Sequence, residues 1–126
     1  ADLAFISLTK VLPALRAVAP DAEMVLLVKP QFEAGRERVG RGGVVRDPAT
    51  WREVLETVAR ALTAGGCRVL GATASPIAGP AGNREFFLHA RPSAEPSFDP
   101  GHLDAAVAEC QTRPGAAGAE PPGATR

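Results

Sequence analysis

The chain keeps only two lysines, Lys10 and Lys29, among 14 basic residues, the others being arginine. The difference is chemical. A guanidinium stays protonated at any working pH, whereas a desolvated ammonium can lose its proton. Lys29 directly follows Met24-Val-Leu-Leu-Val28, the longest apolar run, and precedes Pro30. A lysine at the end of a buried strand lies where open α/β sheets gather their functional groups. Taken alone, Lys29 also reads as a solvated charge at a strand end.

A second group of candidates follows at once. The segment from Glu33 to Asp47 carries Arg36, Arg38, Arg41 and Arg46 against Glu33, Glu37 and Asp47, with glycine at 35, 40, 42 and 43. It leaves the carboxyl end of the Lys29 strand, so it can overhang a substrate and contact RNA phosphates. The plainer reading is a solvated loop that partly neutralises itself. Ser75 and the Pro/Gly loop after it belong to the same edge. Glu85 reads as an edge charge that guards against aggregation, and Asp2 as a terminal residue. Trp51 and the Phe86-Phe87 pair read as core before base-stacking platforms. His89 and His102 have no carboxylate or second histidine at useful spacing and read as structural. Cys67 and Cys110 have no partner at metal-ligand spacing; Cys67 reads as a buried strand residue and Cys110 as a thiol in a mobile segment.

The elements that must position these groups alternate along the chain. Leu3 to Leu8 reads as a short buried strand, and Leu12 to Val18 as a helix, with Pro13 suited to its first turn. Met24–Val28 is a strand covered on both faces, and 31–46 a polar loop. Asp47-Pro48 opens the next helix, with Thr50 and Glu53 offering an alternative start at capping-box spacing. Trp51, Val54, Leu55, Val58 and Leu62 form its apolar stripe, and Gly65-Gly66 ends it. Cys67 to Ala74 and Glu85 to Ala90 are strands with no helix between them, so they are expected to pair antiparallel. The pattern predicts an α/β fold: an open, mostly parallel sheet with an antiparallel last strand.

Length and composition bound the function. The 126 residues suit one small domain, and 45% hydrophobic with 22% charged residues indicates a globular body. Fourteen basic residues balance 14 acidic ones, which excludes a polybasic coat but leaves room for a local basic patch. No apolar run approaches the ~18 residues of a membrane span, and Ala1-Asp2-Leu3-Ala4 does not look like a secretory signal. Residues 92–126 hold half of the 12 prolines. This tail is expected to be disordered apart from a short helix near 102–110, which leaves 1–91 as the ordered body.

Three segments together carry a resemblance. They are Asp2-Leu-Ala-Phe-Ile-Ser-Leu8; Leu27-Val-Lys-Pro-Gln-Phe-Glu33 with Gly40-Arg-Gly-Gly-Val-Val-Arg-Asp-Pro48; and Ser75-Pro-Ile-Ala-Gly-Pro-Ala-Gly-Asn-Arg-Glu-Phe87. Over residues 2 to about 91 the chain resembles the TlyA family of hemolysin-named rRNA methyltransferases, whose catalytic domain is FtsJ-like. The resemblance implies a Rossmann-like class I methyltransferase sheet, here its strands four to seven. It implies a ribose 2′-O-methyltransferase acting on cytidine in ribosomal RNA, with S-adenosyl-L-methionine as cofactor, ribosomal subunits as partners and the cytoplasm as its compartment. Of the family's Lys-Asp-Lys-Glu tetrad, Asp2, Lys29 and Glu85 match the last three members. Lys29 is then the base or alkoxide stabiliser, Glu85 its positioner, and Asp2 the residue that holds the cofactor and the first lysine. That lysine, the family's glycine-rich cofactor loop and its S4-like RNA-binding domain have no counterpart in this sequence, so it resembles the C-terminal half of such a protein. A different class of function stays open: a non-catalytic RNA- or protein-interaction module working through the arginine loop. Membrane lysis is opposed by the lack of a strongly basic amphipathic or spanning segment.

Overall fold

Asp47 and Pro48 start the longest helix of the computed structural model, which describes residues 7–112. In chain order the elements are α1 (Leu8–Val18), β1 (Met24–Val28), α2 (Pro30–Glu33), α3 (Pro48–Ala64), β2 (Cys67–Ala74), β3 (Phe86–Pro92) and α4 (Pro100–Thr112). Single 3-10 turns lie at Arg36–Arg38, Arg41–Gly43 and Pro80–Gly82. The Asp47 carboxylate accepts the Ala49 N–H at 3.0 Å, and Pro48 sits in the first turn, where its missing N–H goes unused. The alternative start at Thr50 is not taken; Thr50 lies inside the helix, and its hydroxyl donates to Asp47 at 3.3 Å. Gly66, at a φ of +88°, turns the chain out of α3.

The sheet order is β1-β3-β2. β3 pairs antiparallel with β1 from Met24↔Ala90 to Val28↔Phe86, and with β2 from Cys67↔Pro92 to Ala74↔Phe86, with an irregularity between Val69 and Gly71. The mostly parallel sheet expected from the sequence is therefore corrected: both ladders among the described residues are antiparallel. β1 and β2 run in the same direction but do not touch as neighbours. β3 returns from β2 without a crossover helix, which forces reversal, and its other edge then receives β1.

One face of the sheet presents Leu26, Val28, Val69, Ala74, Phe86, Leu88 and Ala90, all buried in a single apolar cluster with the helices. Trp51, on α3, is completely buried; its ring centroid lies 5.9 Å from that of Phe86, and its indole N–H donates to the Val45 carbonyl at 3.0 Å. The other face carries Val25, Thr73, Phe87 and His89 around a shallow surface lined only by strand residues. Val25 is 55% exposed, so β1 is not covered on both faces as its unbroken apolar run suggested. His89 bonds to Glu23 on this side.

Two further expectations change. The strand at Leu3–Leu8 falls mostly outside the described residues, and Leu8 itself begins α1 rather than ending a strand. α1 therefore starts earlier than expected and places Pro13 in its second turn, where the Ser7 cap and the buried Leu8 and Leu12 hold it despite the lost hydrogen bond. Beyond residue 92 the expected short helix is present as α4, and residues 93–99 lead into it by defined contacts, so this part of the tail is not disordered; the expectation of disorder from residue 113 on lies outside the described residues. The Val69 N–H donates to the Ser97 carbonyl at 2.9 Å, and α4 buries Leu103, Ala106, Val107 and Cys110. Glu109 accepts the Ala74 N–H at 3.0 Å. Together these close the outer edge of β2, which otherwise exposes unpaired backbone groups. Cys110 is thus a core residue and not a mobile thiol.

Candidate functional site

The ladder between β1 and β3 ends at Val28↔Phe86. One step further along each strand lie Lys29 and Glu85, at the same end of neighbouring strands. The third strand joins them: the Ser75 N–H, just past β2, donates to the Glu85 carbonyl at 2.8 Å. Lys29, Glu85 and Ser75 therefore form a row across the sheet edge. Lys29 is extended at φ −111° and ψ 101°, as a residue before proline must be, and Pro30 then starts the single turn of α2. That turn brings Gln31 back over the edge, with its Nε2 3.5 Å from Glu85 Oε2. The Lys29 ammonium lies 6.0 Å from the centroid of the Phe32 ring. The Ser75 hydroxyl is engaged locally with the backbone of Ile77.

Glu85 is 7% exposed, far from the solvated edge charge that its strand position suggested. A Cβ on Gly79 would lie 2.2 Å from its Oε2, so only glycine admits the carboxylate there. Gln31 Oε1 is enclosed without a hydrogen-bond partner. Among the described residues, the edge thus holds an ammonium, a buried carboxylate and an unsatisfied acceptor within three residues of the strand ends. Such a set orients a ligand that carries O–H or N–H donors and can assist loss of a proton from it.

Asn83 binds the arginine loop to this edge. Its Oδ1 accepts the Val45 N–H at 2.9 Å, and its Nδ2 donates to the Gly43 carbonyl at 2.8 Å. The loop's reversal needs Gly42 and Gly43 at φ of +76° and +77°, a region side chains disfavour. Its four arginines are not equivalent. Arg38 pairs with Glu53 at 2.6 Å and donates to Thr50 at 3.1 Å, so it fastens the loop to α3. The hydrogen bond it donates to Glu53 raises its pKa further. Arg46 reaches the Arg41 carbonyl at 3.4 Å. Arg36 and Arg41 are exposed. Glu33, counted in the sequence as a counter-charge of this loop, instead caps α1: it accepts the Ser7 hydroxyl at 2.6 Å and the Leu8 N–H at 2.7 Å. With Glu33 and Arg38 both committed elsewhere, Arg36, Arg41 and Arg46 remain against Glu37 and Asp47.

Asp2, the third tetrad match, lies outside the described residues. Gln31, Asn83 and Arg84 were missed in the sequence, although Gln31 is two positions from Lys29 and the other two directly precede Glu85. Among the described residues no cluster of three histidine, cysteine or acidic side chains is arranged to hold a metal, and no helix is long and apolar enough to cross a membrane.

Known proteins share this fold and much of this sequence. The 16S/23S rRNA (cytidine-2′-O)-methyltransferase TlyA of Mycobacterium tuberculosis is 47% identical over 108 residues, which cover 85% of this chain and 40% of that protein. The Bacillus subtilis rRNA methyltransferase-named YqxC is 48% identical over 89 residues, 70% of this chain and 32% of its own length. A solved hemolysin-named structure from Streptococcus thermophilus superposes with a TM-score of 0.79 at 43% identity, covering 85% of this chain and 39% of that one. One from Lactococcus lactis gives 0.78 at 38% identity, covering 85% of this chain and 52% of its own. The chain thus spans about 40% of the length of the first of these relatives. The family model of FtsJ-like methyltransferases matches residues 1–92. With that match lying over the whole sheet and its strand-end edge, the chain belongs to the FtsJ-like methyltransferase family.

Proposed function

We propose that this chain is the C-terminal part of the catalytic domain of an S-adenosylmethionine-dependent rRNA (cytidine-2′-O)-methyltransferase, supplying the side of the site that handles the ribose hydroxyl. The observation that carries the reading is the row of Lys29 and Glu85 at adjoining strand ends, with Gln31 folded over them. The three strands would be the last three of a seven-stranded methyltransferase sheet, entered through the segment that holds Asp2.

A ribose 2′-hydroxyl is a weak nucleophile at neutral pH. Lys29 either takes its proton or, as ammonium, stabilises the oxygen as it becomes negative. Glu85, held against Gly79, fixes the ammonium. Gln31 orients the Glu85 carboxylate and offers Oε1 to a donor on the bound ligand. When bound, the cofactor supplies an electrophilic methyl group. The enclosed acceptor on Gln31 suits a ligand rich in hydroxyl and amino donors, and Asp2 is the residue that would hold the cofactor's methionyl end. The exposed Arg36 and Arg41, with Arg46, steer the RNA backbone onto the edge; Arg38 serves the loop's own attachment. A ribosomal RNA substrate implies the cytoplasm as its compartment and the ribosomal subunits as its partners.

The test uses the complete protein and ribosomal subunits, with 2′-O-methylcytidine read by mass spectrometry of digested rRNA. Lys29→Ala is expected to lower the rate by roughly a thousandfold or more, and Lys29→Arg, which keeps charge but cannot act as a base, by a similar factor. Full activity in Lys29→Arg overturns the base role. Full activity in both removes Lys29 from the mechanism and favours a non-catalytic interaction module.

A further inference from the structure

Arg84 is 6% exposed, and its Nε is enclosed without a hydrogen-bond partner. Among the described residues no hydrogen bond or ion pair reaches its guanidinium. This is an unusual state for an arginine. The group stays charged and carries five N–H donors; of its three nitrogens only Nε is enclosed and partnerless, and buried polar groups are paired almost without exception.

Four acidic groups of the neighbouring segments are committed elsewhere. Glu33 caps α1, Asp47 caps α3, Glu53 holds Arg38, and Glu85 lies against Gly79 and Gln31. Arg84 sits between Asn83, which anchors Gly43 and Val45 of the arginine loop, and Glu85 of the strand-end row. It therefore occupies the junction between the group that would handle the hydroxyl and the cations that would follow a nucleic-acid backbone.

We infer that Arg84 anchors an oxyanion site, and that its ligand is a phosphodiester of the RNA strand lying on this edge. The planar guanidinium fork matches two phosphate oxygens. The exposed Arg36 and Arg41 on the adjoining loop suit a polyanion better than a single carboxylate. Naming RNA rests on the function proposed above; the oxyanion site itself does not.

The experiment separates the two. On the 126-residue chain, the Arg84 Nε–H resonance is followed by nitrogen-15 NMR while inorganic phosphate replaces chloride at constant ionic strength. Phosphate is expected to shift that resonance and raise the melting temperature. Arg84→Met, which keeps an apolar stem of similar length, should abolish both effects and, without phosphate, melt no lower than the parent chain. An unmoved Nε–H resonance, or a melting shift that survives in Arg84→Met, overturns the site. A single-stranded oligocytidylate RNA is then titrated in. It should displace phosphate from Arg84 and bind roughly tenfold more weakly to the Met variant. Phosphate binding without RNA binding keeps the oxyanion site and refutes its assignment to RNA. RNA binding of equal strength to both chains, with no phosphate effect, keeps the RNA edge and refutes Arg84 as its anchor.

Discussion

The helical side of the sheet and the strand-end edge are built from the same strands by opposite rules. Beneath the helices, Trp51 lies fully buried with its one polar atom satisfied by Val45, and Leu26, Phe86 and Leu88 pack around it. At the edge, Glu85 and Arg84 are nearly as buried, yet Arg84 and Gln31 supply two of the three enclosed, partnerless polar atoms among the described residues; the third is on His102 in α4. Unsatisfied buried groups cost stability. Their concentration at one end of the sheet separates the part of the molecule that holds it together from the part that expects a ligand.

That division is open to attack. The largest expected effect is on the helical side: Trp51→Ala should cost about 3–5 kcal/mol, measured by urea unfolding, because a large side chain leaves an unfilled space. A cost below about 1 kcal/mol would mean that α3 is not packed as described. Next comes Asn83→Ala, which removes both bonds between the edge and the arginine loop. About 1–3 kcal/mol should be lost, with faster hydrogen exchange at the Val45 N–H as its local signature. Gly79→Ala sharpens the contrast further. The new methyl group displaces the Glu85 carboxylate, which is a side-chain tip, so the stability loss should stay near 1 kcal/mol. Methyl transfer by the complete protein should nevertheless fall steeply, as seen in single-turnover rates. The smallest effect belongs to Glu56 on the outer face of α3. Hydrogen bonds from Arg60, then Arg52, hold its carboxyl below the usual range. Its contribution is therefore present above the ordinary carboxylate range and is lost as pH falls through the lowered value. Glu56→Gln should melt slightly below the parent at neutral pH and converge with it in acid, as followed by circular dichroism.

The sequence was most legible where a local rule had no competitor. Asp47-Pro48 announced α3, its apolar stripe named the buried face, and the absence of a crossover between Ala74 and Glu85 announced the antiparallel return. It was least legible where distant residues decide. The helix near 102–110 was legible from Leu103 and Val107, but its burial against β2 was not: Ala106 and Cys110 complete the helical stripe, and small side chains give a weak signal until β2 is there to receive them. Pro13 marked a helix boundary that the Ser7 cap, braced by Glu33 from 26 residues away, overrides. At the strand-end edge, the motif residues Lys29 and Glu85 were singled out from the sequence, and Gln31, Asn83 and Arg84 were not. Whether a side chain is paired depends on neighbours that no spacing along the chain reveals.

The strand at the centre of the sheet is also the last of the three to leave the ribosome. Among the described residues β1 finds its ladder partner only in residues 86–90, a separation of up to 66 positions between Met24 and Ala90. Until β3 is made, the edges of β1 and β2 that it will fill stay open to sticking and to chaperones. A truncation just before Phe86 should therefore yield insoluble product, whereas one after Pro92 leaves a chain whose three strands can already pair.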